Sequence, residues 1–213
     1  MIDELETRWL GRVSFGDALA LQEELVAQKR ADHLLGDYLL LLEHDPVYTI
    51  GRTLDRSSLR GASHLPHPLV AINRGGQATY HGPGQLVGYP IIDLRRCGQD
   101  LHRYLRWLEA LVIDALAGYG IVASARNGLT GVWVDQRKIA SIGVGVRHWI
   151  TMHGFALNVC GDLSAFDQIV PCGIANVTMT SIEREAAAAI SVQDAGACVA
   201  KIASMRISRL QAL

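Results

Sequence analysis

The sequence predicts an α+β fold: a single domain over residues 1–213 whose mixed, largely antiparallel sheet is flanked by helices. Three observations predict it. Strand-like segments come in runs, with helices at intervals instead of strict alternation. Two long stretches keep the three-four spacing of helices with one apolar face. A length of 213 residues suits one domain with a substantial core, and the chain shows no internal repeat or low-complexity linker.

The elements follow in order. "SFGDALALQEELVAQKRA" reads as an amphipathic helix, with Leu19, Leu21, Leu25 and Val26 in its apolar stripe. "DYLLLLEH" reads as a buried strand stopped by Asp45 and Pro46, and "VYTIG" as another. "LVAIN" and "QLVGYPIIDL" read as strands joined by a long glycine-rich loop that starts at Arg74. In "QDLHRYLRWLEALVIDALAGYG", Leu101, Leu105, Leu108, Leu111, Val112, Ala115, Leu116 and Tyr119 keep helical spacing, and Gly118 and Gly120 end the helix. Short strands follow in "GIVASA", "TGVWV", "KIASIGVGVRHW" and "ITMHGFALNV". The Ala-rich remainder, "SVQDAGACVAKIASMRISRLQAL", fits a closing helix.

Composition excludes several functions. The formal charge is -1 and no Lys/Arg run occurs, so the electrostatic footprint of a nucleic-acid binder is missing. The N-terminus lacks the basic-then-apolar order of a signal peptide, and no apolar stretch approaches the roughly 20 residues of a membrane span. A soluble cytoplasmic protein with no membrane partner is expected. The Arg-bearing segment "LRRCGQDLHRYLRW" reads either as a patch for an acidic partner or as a solvated helix face. Cys97, Cys160, Cys172 and Cys198 stand far apart without a C-x-x-C pair, so neither zinc nor a disulfide framework is expected. His64, His67 and His81 read as ordinary histidines before they read as metal ligands.

Two strands carry the first pointer to a ligand. In "IASIGVGV" the even positions are apolar while Ser141, Gly143 and Gly145 leave the other face nearly bare. The next strand repeats the contrast, with Phe155, Leu157 and Val159 against Gly154, Ala156 and Asn158. Paired as a hairpin they offer one core face and one flat face, which suits either a slender ligand or a helix packed closely on that face. The loop "RGGQATYHGPGQLVGYP" adds Gly75, Gly76, Gly82 and Gly84, with Arg74, Tyr80 and His81 embedded in it. Its spacing matches neither nucleotide-binding glycine motif, so no nucleotide is signalled.

Cys172 lies between Pro171 and Gly173 in "QIVPCGIAN". Reactivity requires a thiolate, which an unperturbed cysteine supplies only to a few per cent at neutral pH. A neighbouring cation is needed. The chain has three lysines, Lys29, Lys138 and Lys201, and of these Lys138 heads the bare hairpin. An ion pair at about 4 Å and an effective dielectric near 20 is worth about 4 kcal/mol, up to about three pKa units before burial subtracts its share. His81 and His153 are the competing partners for the sulfur.

Together, "LLLLEHDPVYTIGR", "RGGQATYHGPGQLVGYPIIDL", "GVWV", "RKIASIGVGV", "MHGFALNV" and "VPCGI" resemble the octanoyltransferases of lipoate biosynthesis, from about residue 14 to residue 182. The resemblance implies the biotin/lipoate protein ligase-like fold and a Cys/Lys acyltransferase that needs no cofactor. It implies octanoyl-acyl carrier protein as donor, and as acceptors the lipoyl domains of 2-oxoacid dehydrogenases and the glycine cleavage H protein. By position, Cys172 is then the acyl-thioester nucleophile and Lys138 the residue that lowers its pKa and moves protons. Arg74, Gly75, Gly76, Gln77, Ala78, Thr79, Tyr80 and His81, then Ser141, Ile142 and Gly143, then Gly154, Phe155 and Ala156, line the substrate site. Two other readings stand beside this one: an ATP-dependent lipoate or biotin ligase in which Cys172 has no role, and an acyl-binding protein that makes no bond.

Overall fold

Four consecutive leucines, Leu39 to Leu42, mark the middle of the molecule. A strand buried on both faces needs no alternation, and all four are at most 2% exposed. A computed structural model, which describes residues 5–52, 55–59, 65–174 and 177–211, places them in β2 (Asp37–His44) of an eight-stranded mixed sheet. The other strands of that sheet are β1 (Leu5–Val13), β6 (Gln85–Ile91), β7 (Ser124–Arg126), β8 (Leu129–Val134), β9 (Arg137–Arg147), β10 (Ile150–Asn158) and β11 (Thr178–Met179). The order is β1-β2-β6-β10-β9-β8-β7, with β11 added to β9. Within this sheet, among the described residues, only β1 with β2 and β11 with β9 run parallel. A second sheet joins β4 (Leu69–Ala71), β3 (Val47–Ile50) and β5 (Thr79–His81).

Helices cover both faces of the large sheet. On one side α2 (Leu101–Ala117) and α4 (Val192–Gln211) bury Leu108, Leu111, Val199 and Ala203 against Leu39, Leu41, Ala140, Ile142, Phe155 and Leu157. On the other, α1 (Phe15–Ala31) packs Ala18, Leu25 and Val26 against Leu40, Leu42, Val87 and Met152. Ser14 caps α1, its hydroxyl accepting the Asp17 N–H at 3.1 Å. A short helix α3 (Ile182–Ala186) precedes α4. The α+β class and the mixed, largely antiparallel sheet flanked by helices are as the sequence predicts.

One element has no assignment from the sequence, and two local readings change. β1 has no apolar alternation because it is paired on one side only, with mostly exposed or half-buried residues. "GIVASA" is not a strand from its start: the Ile121 N–H bonds to the Leu116 carbonyl at the end of α2, Val122 is 91% exposed, and pairing begins at Ser124. The glycine-rich loop is interrupted by β5, which pairs with β3 at Val47, Tyr48 and Thr49. No helix among the described residues is long and apolar enough to cross a membrane.

Candidate active site

The two glycine-bearing strands pair as a hairpin in the register that keeps like faces together. Ile142 lies opposite Phe155, Ser141 opposite Ala156 and Gly143 opposite Gly154. Simple alternation puts Lys138 on the wrong side, with Ala140 and Ile142. A bulge corrects this: Trp133 pairs with Lys138 but Val132 with Ala140, so Ile139 is an extra residue. Ile139 and Ala140 both enter the core, and Lys138 turns to the face that carries Ser141.

Lys138 is fully buried there. Its side chain crosses Gly131, where a β-carbon would stand 2.6 Å from Lys138 Cε, and its Nζ lies 5.4 Å from the centre of the Trp133 ring. Among the described residues Nζ has no nitrogen or oxygen partner, and it acts on the Cys172 sulfur, by its charge and as a hydrogen-bond donor. The Glu109 carboxyl of α2 shares this region; burial pushes its pKa up, while the Gly131 N–H, Arg106 and Lys138 pull it back.

Cys172 sits in a single tight turn, Pro171–Gly173, with its own backbone in the left-handed region at φ 55°. Its N–H donates to the Ala78 carbonyl at 2.9 Å. Gly173 holds φ 71°, a backbone that side chains rarely adopt, and a β-carbon there would also push on the Gln77 amide at 2.6 Å. The sulfur lies 3.7 Å from the Ser141 hydroxyl oxygen. Burial pushes the thiol up, but the Lys138 ammonium, the Ser141 hydroxyl and the Arg74 guanidinium outweigh it and hold the pKa below the ordinary value. The opposite holds elsewhere, since burial pushes Cys97 up to about 11 and raises Cys160.

Arg74 is 6% exposed, and its guanidinium donates to the Thr49 carbonyl and hydroxyl and to the carbonyls of Gly75 and Gln77. No carboxylate answers it in those bonds. The residue read as a substrate contact is thus a second buried cation beside the thiol. The competing histidines are not cations. Burial, with His44, Arg74 and His153 nearby, lowers His81 to about 3, and burial with Arg74 and Arg147 lowers His153 to about 4. Among the described residues, the cations that lower the thiol are Lys138 and Arg74.

Cys172 opens into a narrow pocket, about 400 Å³ with its mouth included. Arg74, Thr79, His81, Ser141, Ile142, Gly143, Gly154, Phe155 and Ala156 line it, together with Phe15, Ile72, Tyr89 and His153. Gly75 and Gly76 instead line a wider cavity on the other side of the thiol. Gln77 and Ala78 support the Cys172 turn. Tyr80 turns away, packing against Tyr48 and Phe166. The bare face also serves the protein's own backbone: a β-carbon on Gly143 would stand 3.0 Å from Arg74 Cδ, and one on Gly154 2.3 Å from the Gly88 carbonyl oxygen. The atoms that meet Gly143 and Gly154 belong to a loop residue and a neighbouring strand, not to a helix.

Sequence reasoning missed Gly131, Trp133 and Glu109. Glu109 left a signal, as an acid within the three-four spacing of the apolar stripe of α2. The arginines of "LRRCGQDLHRYLRW" are largely engaged at home: Arg95 with Asp93, Arg96 with Asp37 and Arg106 with Glu109. His64 lies outside the described residues, and no group of three metal-ligating side chains occurs among those described.

A family model described as the lipoyl protein ligase A/B catalytic domain matches residues 14–203. The octanoyltransferase of Geobacter sulfurreducens is 54% identical over 191 residues, 90% of this chain and 80% of that one. That of Pelobacter propionicus is 50% identical over 193 residues, covering 90% of each. The chain belongs to the octanoyltransferase family. Among solved structures, a bi-partite lipoate protein ligase from Thermoplasma acidophilum superposes with a TM-score of 0.71 at 16% identity, covering 96% of this chain and 85% of that one. The biotin protein ligase of Aquifex aeolicus gives 0.57 at 14% identity over 97% and 72%. At such identity these likenesses concern the fold, which octanoyltransferases share with both kinds of ligase.

Proposed function

We propose that residues 1–213 form one catalytic domain that takes an octanoyl group from octanoyl-acyl carrier protein onto Cys172 and passes it to a lysine of a lipoyl domain. Acceptors of this kind occur in 2-oxoacid dehydrogenases and the glycine cleavage H protein, and the reaction belongs to the cytoplasm. The observation that carries the reading is the depressed thiol of Cys172, set between Lys138, Ser141 and Arg74 at the mouth of a narrow pocket.

The chemistry balances without a nucleotide. The Cys172 thiolate attacks the donor thioester, the new C–S bond forms, and the carrier thiolate leaves with a proton from the Lys138 ammonium. Lys138, now a neutral amine, takes the proton of the acceptor ammonium, which at a pKa near 10.4 is almost fully charged at pH 7. The freed amine attacks the Cys172 thioester, the amide forms, thiolate is restored and its second proton passes to solvent. The tetrahedral oxyanion needs donors, each worth about 3 kcal/mol. The N–H groups of Cys172 and Gly173 already bond to Ala78 and Val170 carbonyls, so the Ser141 hydroxyl and the Lys138 ammonium serve instead of the local backbone. The pocket receives the chain, whose burial is worth roughly 0.8 kcal/mol per methylene.

The test is intact mass after mixing the protein with octanoyl-acyl carrier protein. An octanoyl increment that forms without ATP and is lost in Cys172→Ser is expected. Modification that requires ATP, or no covalent change, overturns the proposal.

A further inference from the structure

The pocket has a far wall, and the wall is a histidine in an unusual backbone state. His153 lies within β10 at φ 56°, in the left-handed region. For a side chain other than glycine this backbone is strained, and such strain clusters at ligand clamps and functional sites. Regular alternation groups His153 with Phe155 and Leu157, which face α2 and α4. The turned backbone does otherwise. Its N–H donates to Gln22 Oε1 of α1 at 2.7 Å, and its imidazole enters the pocket, 6.1 Å from the Tyr89 ring and edge-on to it. The ring stands over Gly145, where a β-carbon would be 3.3 Å from His153 Cδ2.

That position sets a length. Along β9 the sulfur touches Ser141, Arg74 covers Gly143, and the Asn73 carbonyl and the His153 ring together cover Gly145. Four residues of strand at about 3.4 Å each span about 13 to 14 Å. Subtracting a van der Waals contact of about 4 Å leaves about 10 Å from the level of the thiol to the ring. With single bonds of about 1.5 Å in zigzag, an extended eight-carbon acyl chain reaches roughly 9 Å from its carbonyl. Its terminal methyl meets the imidazole, and two further carbons overlap it.

Resting on the acyl-thioester reading above, we infer that His153 is the end stop of the acyl pocket and sets the preference for eight carbons. Arg74 closes the side of the sleeve and His153 its end. The test offers hexanoyl, octanoyl, decanoyl and dodecanoyl thioesters of N-acetylcysteamine to the wild-type protein, His153→Asn and His153→Gly, and follows the acyl adduct on Cys172 by intact mass. Glycine and asparagine both accept a left-handed backbone, so folding is retained, which circular dichroism checks. The ratio of dodecanoyl to octanoyl labelling rates rises at least tenfold in His153→Gly and by less in His153→Asn. A wild-type protein that acquires octanoyl while both variants keep its chain-length profile overturns the end stop alone. Absence of any adduct on the wild type overturns the thioester reading beneath it.

Discussion

Gly131 has no β-carbon, and the placement of Lys138 depends on that. At φ 134° the residue holds a backbone that side chains rarely adopt, and an added β-carbon would meet Lys138 Cε at 2.6 Å and the Ala140 carbonyl oxygen at 2.8 Å. Gly131→Ala therefore displaces the ammonium or distorts β8, at a cost of about 1 to 3 kcal/mol in stability. The consequence is read at the sulfur. Burial pushes the Cys172 thiol up and the cations pull it down; with Lys138 displaced, burial is less opposed. The pH midpoint of iodoacetamide alkylation at Cys172 should therefore rise. In Lys138→Met it should rise further, because Arg74 and Ser141 alone then oppose burial. An unchanged midpoint in Lys138→Met would remove the lysine from the account of thiol ionisation.

The bulge in β9 joins two requirements that regular alternation sets against each other, a core face at Ala140 and Ile142 and a site face at Lys138 and Ser141. Deleting Ile139 restores one-to-one pairing with β8, because Trp133 already faces Lys138 and Val132 already faces Ala140. The protein should lose about 2 to 5 kcal/mol, the value of a buried isoleucine, yet keep its depressed thiol, since Lys138 remains on the face of Ser141. Chemical denaturation and the alkylation profile read the two effects separately, and a thiol returned to its ordinary range would show that the bulge does more than keep count. The same element marks the limit of what the sequence discloses. The spacing of Leu101 to Leu116 and the glycine parity of "IASIGVGV" were legible because period and face are local properties. The bulge was not, since an extra residue exists only relative to a partner strand, and the turn of His153 is equally silent. Cys172 and Lys138 were legible as chemistry, through a pinned thiol and scarce lysines, whereas Arg74 as a cation for the sulfur required the folded loop.

Stability of the whole molecule should reflect how many imidazoles it buries. His44, His81 and His153 lie 0%, 7% and 3% exposed between the sheet and α1, and burial is the first cause that lowers each. The unfolded chain protonates these side chains near 6.5, whereas folded His153 waits until about 4 and His81 until about 3. Between pH 6.5 and about 4 the unfolded state thus binds more protons, so stability is full above 6.5 and declines as pH falls through that window. Each such histidine contributes a slope of about 1.4 kcal/mol per pH unit once its unfolded form is protonated. Glu109 acts in the opposite sense, because burial raises its pKa and the folded protein takes up that proton early, but it is one group against three. Since 1 kcal/mol moves the midpoint of a chain this size by about 2 to 4 °C, melting at pH 4.5 should occur about 10 °C or more below melting at pH 6.5. His153→Asn, which removes one titrating imidazole and keeps a residue tolerant of the left-handed backbone, should flatten the slope by about one proton. Equal melting temperatures at the two pH values would mean that the imidazoles gain water or a counter-charge as they protonate, and that the layer beneath α1 opens at no cost to the rest of the fold.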